Sequence, residues 1–144
     1  MIHVSRAPLD IAVLSAQVAA RARGGTVTFA GHVRDHHDGR AVTRLEYSAY
    51  EPMAEAECAR IVSEAEERWP VSAALAHRIG PLEVGDLAVA VAVSGAHREE
   101  AFEACRWIIE EVKRRVPIWK REEFADGTVE WVDPSVLAAG RERA

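Results

Sequence analysis

The chain has very little lysine and cysteine, and it has no long apolar run. Its 144 residues include only two lysines against sixteen arginines. No apolar stretch approaches the roughly 20 residues that a membrane-spanning helix requires, which argues against a transmembrane protein. The two cysteines, Cys58 and Cys105, lie far apart without CxxC spacing. We therefore expect reduced thiols in the core of a cytosolic protein.

The net charge and the N-terminal residues argue against two further kinds of protein, a general nucleic-acid binder and a secreted protein. A formal net charge of -5 argues against general nucleic-acid binding, which usually needs a basic surface. Any anion site must then be a local basic patch. The first residues contain no apolar segment of the kind found in secretory signals, so we expect a cytoplasmic location. The length suits one domain, which we place at residues 1–133, followed by a tail over residues 134–144.

Hydrophobic periodicity predicts an alternation of helices and strands. Apolar residues at helical spacing predict helices over 8–20, 52–69 and 98–115, and the core-facing set of the third includes Phe102. Alternation and β-forming residues predict strands over 26–33, 42–50, 73–79, 87–94, 118–122 and 128–132.

The order of these elements favours an α+β fold in which an antiparallel or mixed sheet packs against about three helices. The first two strands could pair as a hairpin with a long polar loop. Asp126-Gly127 predicts a tight hairpin between the last two strands. The strand over 87–94 alternates large and small apolar residues, which predicts burial on both faces.

The two lysines, Lys113 and Lys120, lie only seven residues apart. Lysine carries an amine whose pKa falls readily on burial or near other cations, whereas arginine stays charged. The pair therefore indicates a site that needs amines, although neighbouring lysines can also arise by chance. Lys113 lies at the edge of a helix's apolar stripe, and Lys120 follows Pro117 in a strand that sends Trp119 to the opposite side. If both face one pocket, each lowers the pKa of the other, and one becomes a candidate proton donor and acceptor.

Further basic residues stand at the ends of predicted strands. His97 and Arg98 begin a helix directly after a buried strand, where free N–H groups attract anions. The alternative is that His97 only caps the helix and Arg98 is solvated. His32 and Arg34 offer more cationic groups where another strand ends. The adjacent run of residues 35–38 (DHHD) cannot close a tetrahedron around one ion, so we expect no metal site.

Other motifs offer no competing chemistry. His77 ends a strand and is expected to have a structural role in a turn. The chain has neither a GxxxxGKS nor a GxGxxG phosphate-binding loop, and it has no GxSxG motif. Because both cysteines are expected to be buried, nucleophilic catalysis by serine or cysteine lacks support.

Five segments, taken in order and spacing, resemble the large, catalytic subunit of molybdopterin synthase over nearly the whole chain. They are VTFAGHVR at 27–34, LEYSAYEPM at 45–53, HRIG at 77–80 with GD at 85–86, SGAHR at 94–98 with AF at 101–102, and VPIWKRE at 116–122.

The resemblance implies an α/β-hammerhead-like fold and a sulfurtransferase of molybdenum cofactor biosynthesis. Such enzymes convert cyclic pyranopterin monophosphate to molybdopterin by installing two sulfurs as a dithiolene. The sulfur arrives as a thiocarboxylate on the C-terminal glycine of a ubiquitin-like small subunit, and no cofactor is expected. The large subunit forms a homodimer with one small subunit at each end, which gives a heterotetramer.

Residue by residue, Lys113 and Lys120 match the family's two catalytic lysines. We expect Lys113 to lie nearest the acyl junction and Lys120 to support proton transfer and charge stabilisation. Cationic side chains would neutralise the substrate phosphate. The substrate-binding set that the resemblance implies is His32, Arg34, His97, Arg98, Lys113, Lys120, Arg121 and Glu122.

One departure from the family pattern bears on the site. Some members place a basic residue shortly after the final Trp-Val, whereas here Trp131-Val132 is followed by Asp133, and Arg141 is the next arginine. We leave Arg141 out of the site. Two alternatives stay open beside the sulfurtransferase: a non-catalytic module that binds a ubiquitin-like tail or a phosphorylated metabolite, and an enzyme acting on another phosphorylated heterocycle. The lysine pair favours catalysis, since arginine would serve simple anion binding at least as well.

Overall fold

A computed structural model describes residues 1–132, which form helices packed on two sheets; the predicted tail over 134–144 and Arg141 lie outside the described residues. In chain order the elements are β1 (Val4–Ser5), α1 (Ile11–Val18), β2 (Gly25–His32), β3 (His36–His37), β4 (Arg40–Ala49), α2 (Glu51–Arg68), β5 (Val71–Arg78), β6 (Gly80–Glu83), β7 (Leu87–Gly95), α3 (Arg98–Arg115), β8 (Ile118–Phe124) and β9 (Val129–Val132).

The first sheet has the strand order β1-β5-β7-β2, with helices on both faces. Its central strand β7 pairs antiparallel with β5 on one side and with β2 on the other. Val89, Val91 and Val93 face the core formed with α2 and α3, whereas Ala90 and Ala92 face α1. The small alanines leave room for a close helix, and the predicted burial of this strand on both faces is confirmed.

The second sheet has the order β3-β4-β8-β9, and β6 pairs with residues 44–47 of β4 along the edge opposite β8. The β4–β8 register sets Tyr47 opposite Lys120 and Leu45 opposite Glu122. Between β8 and β9 the chain turns at Gly127, whose φ of 89° suits glycine. The predicted hairpin is confirmed, and Lys120 lies on its first strand, β8.

The α+β class and the three helices are confirmed, but two details of the prediction are wrong. The strands β2 and β4 form no hairpin, because β2 adds to the edge of β7 while β4 joins the second sheet. The side chain of Phe102 is exposed. At 100° per residue it lies a quarter turn away from the buried stripe of Ala101, Cys105 and Ile108.

Both cysteines are free and buried, as predicted. Burial raises the pKa of Cys58 to about 12 and that of Cys105 to about 11, which keeps both thiols protonated and unreactive. None of the helices within residues 1–132 is long and apolar enough to cross a membrane.

Candidate active site

A cavity of about 270 Å³ opens where the end of β2 and the following loop face β4, β8 and the last turn of α3. Its walls come from both sheets, so it forms only once the whole domain has folded. Five of the eight residues in the predicted substrate-binding set line it, including both lysines. These five are His32, Arg34, Lys113, Lys120 and Glu122.

Lys120 reaches the cavity from the inner side of β8. The strand alternates as predicted, with Lys120 turned inward and Trp119 exposed. The Nζ atom of Lys120 lies 3.0 Å from Oε1 of Glu122, whose residue is only 2% exposed. A carboxylate buried this deeply must be paired to be tolerated. The amine and the carboxylate are therefore held together against one wall of the cavity.

Lys113 lies at the edge of the buried stripe of α3, as predicted, and it borders two cavities. One is the main cavity, and the other is a small apolar hollow of about 20 Å³ that also touches Tyr47, His77 and Ile109. Burial, with a smaller contribution from the charge of Lys113, lowers the pKa of His77 to about 4, against the opposing hydrogen bond to Arg78. His77 is therefore a neutral group beside the lysine at physiological pH.

Tyr47 lines the cavity together with the two lysines. It faces Lys120 across the β4–β8 pairing, and its ring meets the edge of His77 at a centroid distance of 4.9 Å. Burial and, to a smaller extent, the charge of Glu122 raise the pKa of Tyr47 to about 12, against the opposing charge of Arg34. The phenol stays protonated, so it can orient a substrate oxygen but cannot serve as a base near neutral pH.

His32 and Arg34 stand near the mouth of the cavity. The register between β2 and β7 shifts at Gly31 and His32, which marks a bulge where the strand ends. The Nδ1 atom of His32 lies 3.2 Å from the carbonyl oxygen of Gly85 and donates to it. Arg34 is exposed, and no carboxylate within residues 1–132 pairs with it. Its guanidinium is therefore open to an anionic ligand.

Three predicted residues lie elsewhere. His97 and Arg98 border a separate hollow with Gly24 and Gly25 at the start of α3. The backbone N–H of His97 donates to Glu100 Oε2 at 3.3 Å, so His97 does take part in capping the helix.

Arg98 and Lys113 are fifteen residues apart on α3, a separation of about 22 Å along the helix axis. Arg121 points to the opposite side of β8 from the cavity and pairs with Glu123 at 2.6 Å. Within one chain, a single small molecule cannot occupy both the main cavity and the hollow bordered by His97 and Arg98.

The structure adds His37, which the sequence offered only as part of an unsuitable metal cluster. The Nδ1 atom of His37 lies 2.7 Å from Oε1 of Glu122. The neighbouring His36 also borders the cavity, but its side chain is largely exposed and bonds to Asp35. Across residues 1–132, no group of three metal-binding side chains comes together. No local signal could reveal the bond to Glu122, because the two residues are 85 positions apart.

An α+β domain whose cavity holds two lysine amines, a buried carboxylate and an open arginine has the features of an enzyme acting on an anionic substrate. The family model described as MoaE protein matches residues 4–115. The molybdopterin synthase catalytic subunit of Pyrococcus abyssi is 51% identical over 119 residues, which cover 82% of this chain and 80% of that protein. The chain belongs to the MoaE protein family.

Solved structures agree with this assignment. Molybdopterin synthase from Staphylococcus aureus superimposes with a TM-score of 0.86 at 39% identity, covering 91% of this chain and 96% of that one. A complex of subunits 1 and 2 of molybdopterin-converting factor from Helicobacter pylori contains a chain with the same fold, with a TM-score of 0.72 at 21% identity, covering 91% of this chain and 88% of that one.

Proposed function

We propose that this protein is the catalytic subunit of a molybdopterin synthase, a sulfurtransferase of molybdenum cofactor biosynthesis. Its substrate would be cyclic pyranopterin monophosphate, and its product molybdopterin, with no resident cofactor. The observation that carries the proposal is the meeting of Lys113 and Lys120 in one cavity beside Arg34. The named relatives and the family membership support the same reaction class.

The chemistry requires both charge stabilisation and proton transfer. In each round the thiocarboxylate sulfur of the small subunit attacks an oxygen-bearing carbon of the pterin side chain. The carbon–sulfur bond forms as the carbon–oxygen bond at that carbon breaks and the oxygen departs, as an anion or, once protonated, as water; an acyl link then joins the two molecules. Water then cleaves the acyl–sulfur bond, so the sulfur stays on the pterin and the small subunit departs as a carboxylate. Both steps develop negative charge on oxygen, which cationic side chains stabilise. Two rounds give the dithiolene.

The cavity suggests a role for each of its polar groups. Arg34, open at the mouth, would bind the phosphate. Lys113, bordered by the apolar hollow, would lie nearest the acyl junction. Lys120, paired with Glu122, would support proton transfer. Tyr47 keeps its proton and would donate a hydrogen bond, while His32 stays tied to a backbone carbonyl.

His97 and Arg98 remain proposed substrate ligands, but of a different cavity. Because they lie about 22 Å along α3 from Lys113, they cannot reach the cavity of their own chain. We infer that in the proposed homodimer they reach the cavity of the partner. Arg121, on the outer side of β8, would contribute only through the surface around the site.

The proposed partners are a second copy of this chain and a ubiquitin-like small subunit carrying the thiocarboxylate, in the cytoplasm. A subunit complex among the structures that share the fold is compatible with this assembly. The main alternative is a module that binds the small subunit's tail without catalysis. The lysine pair favours catalysis, because arginine would bind an anion at least as well but cannot exchange its proton.

The test combines the protein with thiocarboxylated small subunit and cyclic pyranopterin monophosphate and measures dithiolene formation. We expect turnover by the parent and a loss of roughly 100-fold or more in Lys113→Ala, the scale of a lost acid–base group. Lys113→Arg should recover charge but little activity. Arg106→Ala is the matched control, since Arg106 lies on the same helix with its side chain 82% exposed. Binding of the small subunit without product would support the binding module instead.

A further inference from the structure

The buried carboxylate beside Lys120 has a second partner, and that partner comes from a distant loop. Glu122 Oε1 lies 3.0 Å from Nζ of Lys120 and 2.7 Å from Nδ1 of His37. A carboxylate oxygen can only accept, so the imidazole donates to it. All three side chains are largely shielded from water, which strengthens such charge-assisted bonds.

The loop that carries His37 is fixed over β8. The short strand β3 pairs with the start of β4, where His37 faces Arg40. Arg40 in turn holds the hairpin of β8 and β9: its guanidinium lies 3.7 Å from the ring centroid of Phe124 and 2.7 Å from Glu130. Two sets of contacts therefore hold the imidazole over Glu122: the pairing of β3 with β4, and the contacts of Arg40 with Phe124 and Glu130.

The two adjacent histidines have opposite surroundings. His36 has its side chain 62% exposed and bonds only to the exposed Asp35, whereas the side chain of His37 is 11% exposed and bonds to Glu122. The outer nitrogen of His37, Nε2, lies 3.4 Å from Asp38, a contact too long and too exposed to hold the ring alone. The bond to Glu122 thus determines where the ring points.

We propose that His37 is a positioning residue for Lys120. By donating to Glu122 it fixes the orientation of the shared carboxylate, and the carboxylate in turn holds the Lys120 amine toward the cavity. Without the imidazole donor, the carboxylate would have one fewer anchor and could rotate, taking the amine with it. The inference rests on the proposed function of Lys120, and it requires no contact between His37 and the substrate.

The first test separates the donor from the ring. His37→Leu removes the donor, whereas His37→Asn places an N–H at the same number of bonds from Cα as Nδ1. We expect kcat for dithiolene formation to fall about tenfold or more in His37→Leu, the scale of a lost hydrogen bond to a charged group. KM for the pyranopterin should change little, and His37→Asn should recover most of kcat. Arg106→Ala, at a side chain of α3 that is 82% exposed, is the control and should behave as the parent. Equal losses in His37→Leu and His37→Asn would overturn the proposal.

A double-mutant cycle tests whether His37 acts through Glu122. In a Glu122→Gln background, adding His37→Leu should cost far less than it does in the parent, because the carboxylate that His37 holds is already gone. Losses that simply multiply would show that His37 acts independently of Glu122, and the proposal would fail.

A third measurement does not depend on turnover, so it separates this inference from the proposed function. In ¹⁵N-labelled protein, the ring nitrogen resonances of His37 are assigned by their disappearance in His37→Asn. Glu122→Gln should shift the Nδ1 resonance, while Arg106→Ala should leave it unchanged. An unshifted Nδ1 would refute the contact even if the enzyme is active. A shifted one, in a protein that makes no dithiolene, would leave the contact standing and refute the proposed reaction.

Discussion

The free energy of unfolding should fall on mild acidification because of one buried imidazole, His77. The residue is 6% exposed and lies on β5 between Tyr47 and the helix that carries Lys113. Its Nδ1 donates to the carbonyl oxygen of Arg78 at 2.8 Å. Burial lowers the pKa of His77 from 6.5 to about 4; the bond to Arg78 opposes that shift and the charge of Lys113 adds to it.

The sign of the effect follows from proton binding. Folded His77 stays neutral down to about pH 4, whereas the unfolded chain binds a proton at about pH 6.5. The unfolded state is therefore favoured increasingly as pH falls between these values. From the two pKa values, the loss is about 2 kcal/mol at pH 5 and approaches roughly 3 kcal/mol below pH 4. Above about pH 6.5 the histidine is neutral in both states, and acid no longer lowers the free energy of unfolding through His77.

The assay is urea unfolding followed by tryptophan fluorescence at pH 7.5 and pH 5, at one fixed protein concentration because the stability of the proposed dimer depends on concentration. His77→Phe keeps a ring beside Tyr47 but cannot titrate. The free energy of unfolding of this variant will differ from that of the parent at both pH values. The decrease in that free energy from pH 7.5 to pH 5 should be about 2 kcal/mol smaller than in the parent. His36→Phe, at an exposed histidine, should keep the parental difference. If His77→Phe lost as much on acidification as the parent, burial would not be holding His77 neutral.

Two further predictions concern the assembly and the thiols. Lys113→Ala and Arg98→Ala should each inactivate the proposed homodimer. Mixing the two variants and re-forming the dimers should restore a fraction of the activity, because one cavity then receives an intact lysine from one chain and an intact arginine from the other. If no activity returned, Arg98 would not serve the partner's cavity. Cys58 and Cys105 should resist a thiol-specific reagent at neutral pH in the folded protein, because burial raises the pKa of each thiol. Both should react once urea is added. Rapid labelling of the native protein would contradict their placement in the core.

Most of the local structure could be predicted from periodicity, because burial imposes it directly. The strand β7 alternates valine and alanine since one face meets two large helices and the other a single close one. The α3 stripe likewise predicts Ala101, Cys105 and Ile108 as core residues. Phe102 shows the limit of that reasoning: apolar character alone placed it inward, although its angular position on the helix points to the surface.

Pairing between strands was harder to predict, because it depends on competition across the whole sheet. The strands β2 and β4 are neighbours in sequence and suit a hairpin, yet β2 joins β7. A strand as apolar as β7 needs hydrogen-bonded neighbours on both sides, and β2 supplies the second one. This pairing also affects the candidate active site. Because β2 pairs with β7, β4 can pair with β8, which sets Tyr47 opposite Lys120.

The division of the predicted basic residues into two groups carries the strongest argument about how the site works. Periodicity and family motifs named His97, Arg98 and the lysines together, but Arg98 and Lys113 lie fifteen residues apart on one rigid helix. A straight helix cannot bring its two ends to one small molecule. Either the hollow at the start of α3 binds a ligand of its own, or a second chain brings it to the cavity. Within residues 1–132, Arg34 is the only arginine that lines the cavity, so the second arrangement supplies the further charge that a phosphate needs. Catalysis would then require the dimer, and an isolated protomer should be inactive however well it folds.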